Sequence, residues 1–384
     1  MIPYGKQEIT QADIDSVIEV LKSDFITQGP AVPRFEKSIT DHCGVEYAVA
    51  VNSATSALHI ACIALGLGSG DWLWTSPNTF VASANCGLYC GAQVDFVDID
   101  PRTYNMSVGG LRQKLEIAER EGKLPKIVIP VHFSGQSCDM KAIHALAEEY
   151  DFKIIEDASH AIGGRYLDQP IGSCKYSDIS VFSFHPVKII TTGEGGIATT
   201  NDKSLADKMA RLRSHGVTRD SEYMVSKHDE PWYYEQIELG LNYRMTDMQA
   251  ALGFSQMQRL DTYVESRHRL RKQYDELLES VSVIIPWQSP DSYSSLHLYP
   301  VQIDNTVALD RRQVFESLRE AGIGVNVHYI PVHTQPYYKN MGFKETDFPN
   351  AMEYYKRAIS LPMFSGLTNV QQLEVVSALK KALQ

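Results

Sequence analysis

The sequence predicts an α/β fold: a large, mostly parallel sheet covered by helices on both faces, followed by a smaller α/β layer. Three observations predict it. Short apolar runs alternate with helical patterns of about 10–15 residues through roughly the first half of the chain. One of these runs, KIVIPV at 126–131, is continuously apolar, as strands buried on both faces are. Beyond residue 200 the alternation gives way to a polar, aromatic stretch, a long helical pattern and a second, shorter set of strands.

In chain order, helical patterns at 13–22 and 32–43 precede a strand at 47–51 and a helix at 55–67. Strands at 71–75, 93–97, 126–131 and 152–156 then alternate with helices at 82–90, 108–121 and 140–150. Strands at 177–184 and 196–200 stand close together, so part of the sheet is expected to be antiparallel. After a helix at 205–214 comes 218–239, TRDSEYMVSKHDEPWYYEQIEL, which is nearly aperiodic. It is too long for an ordinary connection, so it is either disordered or a functional loop, and the functional reading is preferred. A single long helix is expected at 246–280, bridging to strands at 282–285, 296–303 and 324–329 and to helices at 310–321 and 370–383. There is no internal repeat and no low-complexity tract.

A length of 384 residues suggests two domains. Hydrophobic residues make up 43% and charged residues 22%, so a large core is available and wholesale disorder is excluded. The net charge of −11 argues against a nucleic-acid partner. It leaves open a local pocket for a small phosphorylated ligand. No apolar run is long enough to span a membrane, and MIPYGKQEIT carries no signal pattern, so a cytoplasmic protein is expected. The six cysteines include no CxxC pair and are read as reduced thiols packed as small hydrophobes; no metal site is expected.

Three stretches could carry chemistry. In NSATSA, from Asn52 to Ala57, small residues open a helix after a strand. Such a start is an anion site or simply a helix capped by Ser53 or Thr55. In IIEDASH, Asp157 ends an apolar strand, where open α/β sheets bind ligands; it is a partner for a ligand cation or a helix cap. Glu156 should alternate to the opposite face or meet solvent. In SVFSFHPVK, a β-rich run delivers Lys188 to a loop ahead of the glycine-rich TTGEGG. Lys188 is then a Schiff-base nucleophile or a surface lysine. Taken together the three fit a pyridoxal 5′-phosphate cofactor: N–H donors for the phosphate, an acid for the pyridine nitrogen and a lysine for the aldehyde.

The motifs TQGP, NSATSAL, EDASHA, SDISVFSFHPVK, TTGEGG, LRSHG, GLNYRMTDMQAALG and VHYIPVHTQPYY, in this order between residues 27 and 338, resemble the DegT/DnrJ/StrS family of sugar aminotransferases, a branch of the fold-type I pyridoxal-phosphate enzymes. The resemblance implies a fold-type I transferase with a large sheet of seven-stranded type. It implies a large cofactor domain over 13–248 and a small C-terminal domain over 249–384, with 1–12 associated. Within the family the likeness is strongest to the branch of pseudaminic acid biosynthesis. That branch aminates C4 of a UDP-linked 4-keto-6-deoxy-N-acetyl-hexosamine, with L-glutamate as donor and 2-oxoglutarate as product; a dTDP- or GDP-linked keto-sugar is the alternative.

By the same resemblance, Lys188 is the catalytic, cofactor-bonding lysine; relatives with His there act as dehydratases. Asp157 pairs with the ring nitrogen and His160 with the phenolic oxygen. Ser183, Ala54 and Thr55 hold the phosphate. Phe80 lies over the ring, with core packing as its alternative role. Asn242 reaches the phosphate of a neighbouring subunit, which implies a homodimer with shared sites; its alternative is to cap the helix that follows. The loop bearing Trp232, Tyr233 and Tyr234 would cover the partner's cleft. Sugar-nucleotide contacts are expected from Tyr4, Asp24, Phe25, Ile26, Thr27, Asn326, Val327, His328 and Tyr329, with Ala54, Ser183 and Asn242 also within reach. His333 and Tyr337 continue the last motif.

Overall fold

The computed structural model describes residues 1–226 and 230–384. Helices α1 (Gln11–Leu21) and α2 (Ala31–Cys43) lead into β1 (Tyr47–Val51), α3 (Ala54–Ala64), β2 (Trp72–Thr75), α4 (Ala82–Tyr89), β3 (Gln93–Phe96), α5 (Val108–Glu121), β4 (Ile127–Ile129), α6 (Met140–Tyr150) and β5 (Lys153–Asp157). A small hairpin, β6 (Arg165–Tyr166) and β7 (Gln169–Pro170), precedes β8 (Ile179–Ser183), β9 (Gly196–Thr200) and α7 (Lys203–Leu212). Seven of these strands form one sheet in the order β1-β9-β8-β5-β4-β2-β3. The pairs from β8 to β3 are parallel, and β9 runs antiparallel to both β1 and β8. The expected antiparallel element is therefore this one strand.

The sheet is buried on both faces, which is why its strands read as apolar runs. Ile127, Ile129, Ile155 and Val181 join the core under α3 and α4. Their neighbours Val128 and Ile154 turn to the core of α5 and α6, and Phe182 to that of α2. Glu156 does alternate away from Asp157, but it is buried and does not meet solvent. His132 Nε2 donates to it at 2.6 Å and Ser177 donates to its other oxygen. Five of the six cysteines are buried as expected, and Cys90 is half-buried.

The stretch 218–239 is framed by a short antiparallel pair, β10 (Val217–Thr218) and β11 (Glu235–Gln236), so it is less irregular than its sequence suggested. Trp232 and Tyr234 are exposed on it, while 227–229 lie outside the described residues. The expected long helix is two helices, α8 (Asp247–Met257) and α9 (Leu260–Leu278). Arg259 breaks it: its backbone leaves the helical region (φ −118°, ψ 5°) while its guanidinium grips the buried Asp13 carboxylate at 2.6 and 2.7 Å. That tertiary ion pair outweighs the local helical preference.

The C-terminal part adds β12 (Val283–Ile284), β13 (Ser292–Tyr293, paired with β6), β14 (Tyr299–Ile303), α10 (Arg311–Glu320), α11 (Pro336–Lys339), α12 (Pro349–Arg357), β15 (Ala358–Leu361) and α13 (Asn369–Ala382). A second sheet has the order β12-β14-β15. The expected strand at 324–329 is absent as such. Asn326 makes a single bridge to Ser360, Gly324 N–H donates to Ile2, and Tyr329 N–H donates to the Asn78 side chain. Three different partners replace one ladder, and the N-terminal segment is tied down in exchange. No helix among the described residues is long and apolar enough to cross a membrane.

Every strand of the large sheet that borders β9 delivers its cavity end to the same level. Val51 and Ser183 both face Gly196, the first residue of β9. A Cβ on Gly196 would lie 2.4 Å from the Ala54 nitrogen, so only glycine allows β9 to start against α3. Gly196→Ala is therefore expected to lower stability by about 1–3 kcal/mol or more, read from urea midpoints. Gly68→Ala, where an added Cβ meets nothing within 4 Å, is the control and should change little.

Candidate active site

A cavity of about 960 Å³ opens at the carboxyl ends of β1, β2, β5 and β8. This is where an open parallel sheet presents its loops. Tyr4, Ala54, Thr55, Phe80, Asp157, His160, Ser183, Lys188, Asn326, Val327, His328 and Tyr329 all line it. The three separate motifs of the first 200 residues and the late 326–329 segment thus meet at one place.

Asp157 ends β5 and is only 5% exposed. Ser83 Oγ donates to its carboxylate at 2.6 Å, the Ser159 amide donates at 3.1 Å, and Thr79 backs Ser83 at 2.8 Å. Asp157 is thus not a helix cap. Lys188 follows β8, and burial pushes its amine down to about 8 against the opposing pull of the Asp157 carboxylate. A fair share of such an amine is neutral near physiological pH, the form that attacks an aldehyde. At the start of α3 the Ser53 hydroxyl accepts from the Ser56 amide at 3.1 Å. Ala54 and Thr55, the first two residues of α3, line the cavity, with the helix dipole behind them.

His160 has a defined tautomer. The Ser134 amide donates to Nδ1 at 3.2 Å, so the ring proton sits on Nε2, which donates to the Tyr329 hydroxyl at 3.0 Å. Burial, with the charges of Lys188 and His328, holds it far below the usual histidine range. The ring is therefore a neutral donor into the cavity. His328 is pushed down to about 3 by burial and Lys188, and its Nδ1 pairs with Ser360 Oγ at 2.8 Å. Tyr4 packs against His328 with ring centroids 5.4 Å apart and planes tilted by 51°.

Phe80 is 60% exposed at the cavity, which rules out core packing as its role. Asn242 is exposed, bridges to Ser214 and does not line this cavity. Nor does it cap α8: Thr246 does, in a capping box with Gln249. Asp24, Phe25, Ile26 and Thr27 are likewise exposed and away from the cavity wall, docked through Thr27 against Thr246. His333 is buried against Phe96 and Phe348, and Tyr337 is exposed; neither lines the cavity. Sequence reasoning missed Ser83, Ser159, His297 and Gln249. Of these, only the Thr79–Ser83 spacing, one helical turn, carried a signal.

The histidine environments fix an expected outcome. In 15N spectra of histidine-labelled protein, His160 should keep an unprotonated Nδ1 and a protonated Nε2 from pH 8 down to pH 5. The folded His160 and His328 stay neutral where the unfolded chain takes up protons, so stability is present above about pH 6.5 and is lost as the pH falls below it. The loss approaches about 1.4 kcal/mol per pH unit for each imidazole kept neutral, and is checked by urea unfolding at pH 7 and 5.

Comparison with known proteins agrees with this geometry. Residues 7–380 match the model of the DegT/DnrJ/EryC1/StrS aminotransferase family. The spore coat polysaccharide biosynthesis protein SpsC of Bacillus subtilis is 40% identical over 383 residues, covering 99% of this chain and 96% of that protein. The UDP-4-amino-4,6-dideoxy-N-acetyl-beta-L-altrosamine transaminase of Campylobacter jejuni is 38% identical over 363 residues, covering 94% and 92%. The solved structure of Helicobacter pylori PseC, an aminotransferase involved in the biosynthesis of pseudoaminic acid, superimposes with a TM-score of 0.91 at 29% identity, over 100% of this chain and 99% of that one. With family motifs, fold and cavity in agreement along almost its whole length, the chain belongs to the DegT/DnrJ/EryC1/StrS aminotransferase family.

Proposed function

We propose that this aminotransferase moves the amino group of L-glutamate to C4 of a UDP-linked 4-keto-6-deoxy-N-acetyl-hexosamine, using pyridoxal 5′-phosphate. The observation that carries the reading is the pairing of a buried carboxylate with a half-buried, partly neutral lysine in one cavity beside the start of a helix. The residues present fit the cofactor. The Ala54 and Thr55 amides and Ser183 would take the phosphate, and the close start of β9 on α3 keeps that corner free of side chains. Asp157 would face the ring nitrogen, Phe80 the ring and His160 Nε2–H the phenolic oxygen. When bound, the cofactor supplies an electron sink that acidifies the C–H bond beside the transferred nitrogen.

The chain's own work is then proton handling and orientation. Lys188 gives the covalent attachment and, once released, its amine takes a proton from the donor's Cα and returns it on the other side of the transfer. Its lowered basicity suits it to both directions near neutral pH. Asp157 is held in its aim by two donors, Ser83 Oγ and the Ser159 amide. Tyr4, Asn326, His328 and Tyr329 wall the sugar side and offer polar groups there. L-Glutamate becomes 2-oxoglutarate and leaves before the keto-sugar enters.

The reading includes a homodimer. Asn242, Asp24, Phe25, Ile26 and Thr27 are exposed and away from their own cavity, which supports their serving the partner's. It also includes a division near residue 248 into cofactor and C-terminal domains, and a cytoplasmic location where nucleotide sugars and glutamate meet.

Incubation with L-glutamate and epimers of the UDP-4-keto sugar, followed by mass and NMR analysis, should yield a 4-amino sugar. Product only from dTDP- or GDP-linked sugars would replace the substrate. Lys188→Ala should fold and lose at least about 10²–10⁴-fold in turnover, the usual worth of a positioned proton transfer. Mixing Lys188→Ala with Asn242→Asp chains by refolding should restore up to half of wild-type activity per heterodimer. Confirmed heterodimers without recovery would sink the shared site.

A further inference from the structure

The turn that opens α4 carries two features of the cavity at once. Phe80 stands exposed at the cavity, and Thr79 and Ser83, on either side of it, are buried. Their hydroxyls lie one helical turn apart and meet at 2.8 Å. Ser83 has one proton to give and three oxygens within reach: Asp157 Oδ2 at 2.6 Å, Thr79 Oγ1 at 2.8 Å and the Phe80 carbonyl at 3.4 Å. The carboxylate, at the distance of a charge-assisted bond, takes it. Thr79 must then donate to Ser83, so the relay runs from Thr79 through Ser83 to Asp157.

Little else grips that carboxylate. Its other donor among the described residues is the backbone amide of Ser159, at 3.1 Å from Oδ1. Ser83 is therefore the one side chain that hydrogen-bonds it among the described residues. The turn is closed by the Ser83 amide on the Phe80 carbonyl at 3.3 Å and the Asn85 amide on the Val81 carbonyl at 2.8 Å. It is anchored just upstream as well. The Pro77 carbonyl accepts from the Val332 amide at 2.9 Å, and the Asn78 side chain accepts from the Tyr329 amide at 3.2 Å. One short, internally bonded segment thus places both Phe80 and the grip on Asp157.

We propose that Ser83 is a positioning residue for the amino transfer: its hydroxyl, oriented by Thr79, aims the Asp157 carboxylate and keeps the proton that lies between carboxylate and cofactor on the ring nitrogen. A hydrogen bond donated to a carboxylate favours its charged form. Without that donor a buried oxygen is left unpartnered, and the carboxylate relieves this by turning away or by taking the ring's proton. Either change leaves the ring nitrogen less positive and the ring a weaker electron sink. The inference rests on the cofactor reading above and deepens it by the residue behind the acid.

The test loads the protein with cofactor carrying 15N at the ring nitrogen and records its spectrum at pH 8. The wild-type nitrogen should appear protonated. In Ser83→Ala its signal should move toward the unprotonated position. The half-reaction with L-glutamate, followed in a single turnover by the visible band, should slow about ten- to a hundredfold, the worth of a hydrogen bond to a charged group. Ser83→Cys, similar in size but a weaker donor, should fall between. Thr79→Val removes only the outer donor and should move the signal the same way by less. A Ser83→Ala signal at the wild-type position overturns the proposal even if the rate falls, because a merely structural role would slow the reaction without moving the nitrogen. An unprotonated wild-type nitrogen overturns it too. If Ser83→Ala does not fold, the Cys and Val variants decide by the same signal, and two unmoved signals overturn the proposal. Amination of the keto-sugar is assayed in parallel, so an unmoved nitrogen in an active transaminase sinks only this inference. A moved nitrogen in a protein inactive on every keto-sugar supports it and sinks only the substrate reading.

Discussion

One buried carboxylate organises the cavity. Asp157 stands at the end of an interior strand, where a charge is tolerated only if its oxygens are occupied. Ser83 and the Ser159 amide occupy them, and Thr79 steadies Ser83. This fixes where α4 must lie against the sheet. Across the cavity, the same negative charge limits how far burial can strip Lys188 of its proton. A lysine in the same place without that charge would be more completely neutral, and a carboxylate without Lys188 would lack its counterion when no cofactor is bound. The adjacent Glu156 shows the cost of such a position from the other face: it needs both His132 and Ser177 to be buried there.

The cavity stores unfavourable features that the surrounding core must support. His160, His297 and His328 are held neutral by burial and by the nearby Lys188, Leu296 sits in a left-handed conformation, and Arg267 is buried with no anion in contact among the described residues. None of these would persist on a loosely packed scaffold. Here the sheet supplies the rigidity. Its two faces are covered throughout, and β9, run in the opposite direction, brings a glycine start to the level where β1 and β8 end.

Much of this was legible in the sequence, and the parts that were not share a cause. The alternation of apolar runs and helical periods located the seven strands of the large sheet, because strands buried on both faces leave a continuous apolar signature; it missed the small hairpin of β6 and β7. Lys188, Asp157 and the α3 start were legible because each lies at the end of such a run. The break at Arg259 was not, since it depends on Asp13, almost 250 residues earlier. The 324–329 strand failed for the same reason: its backbone partners come from Ile2, Asn78 and Ser360. Ser83 and His297 were invisible because nothing local says that α4 turns a serine toward β5, or that Arg267 pins the turn before His297. Interactions that cross the whole chain leave no period to read.

The claim that Asp157 and Lys188 form one electrostatic unit is tested most directly by titrating the Lys188 amine in cofactor-free protein, with a limiting amine-directed reagent and mass spectrometry of the modified peptide. In wild-type protein the midpoint should fall near 8. In Asp157→Asn the ammonium loses its counter-charge while its burial is unchanged, so the midpoint should move lower still. A midpoint in the Asn variant that is unchanged or higher would show that Asp157 does not act on Lys188, and would contradict the central claim.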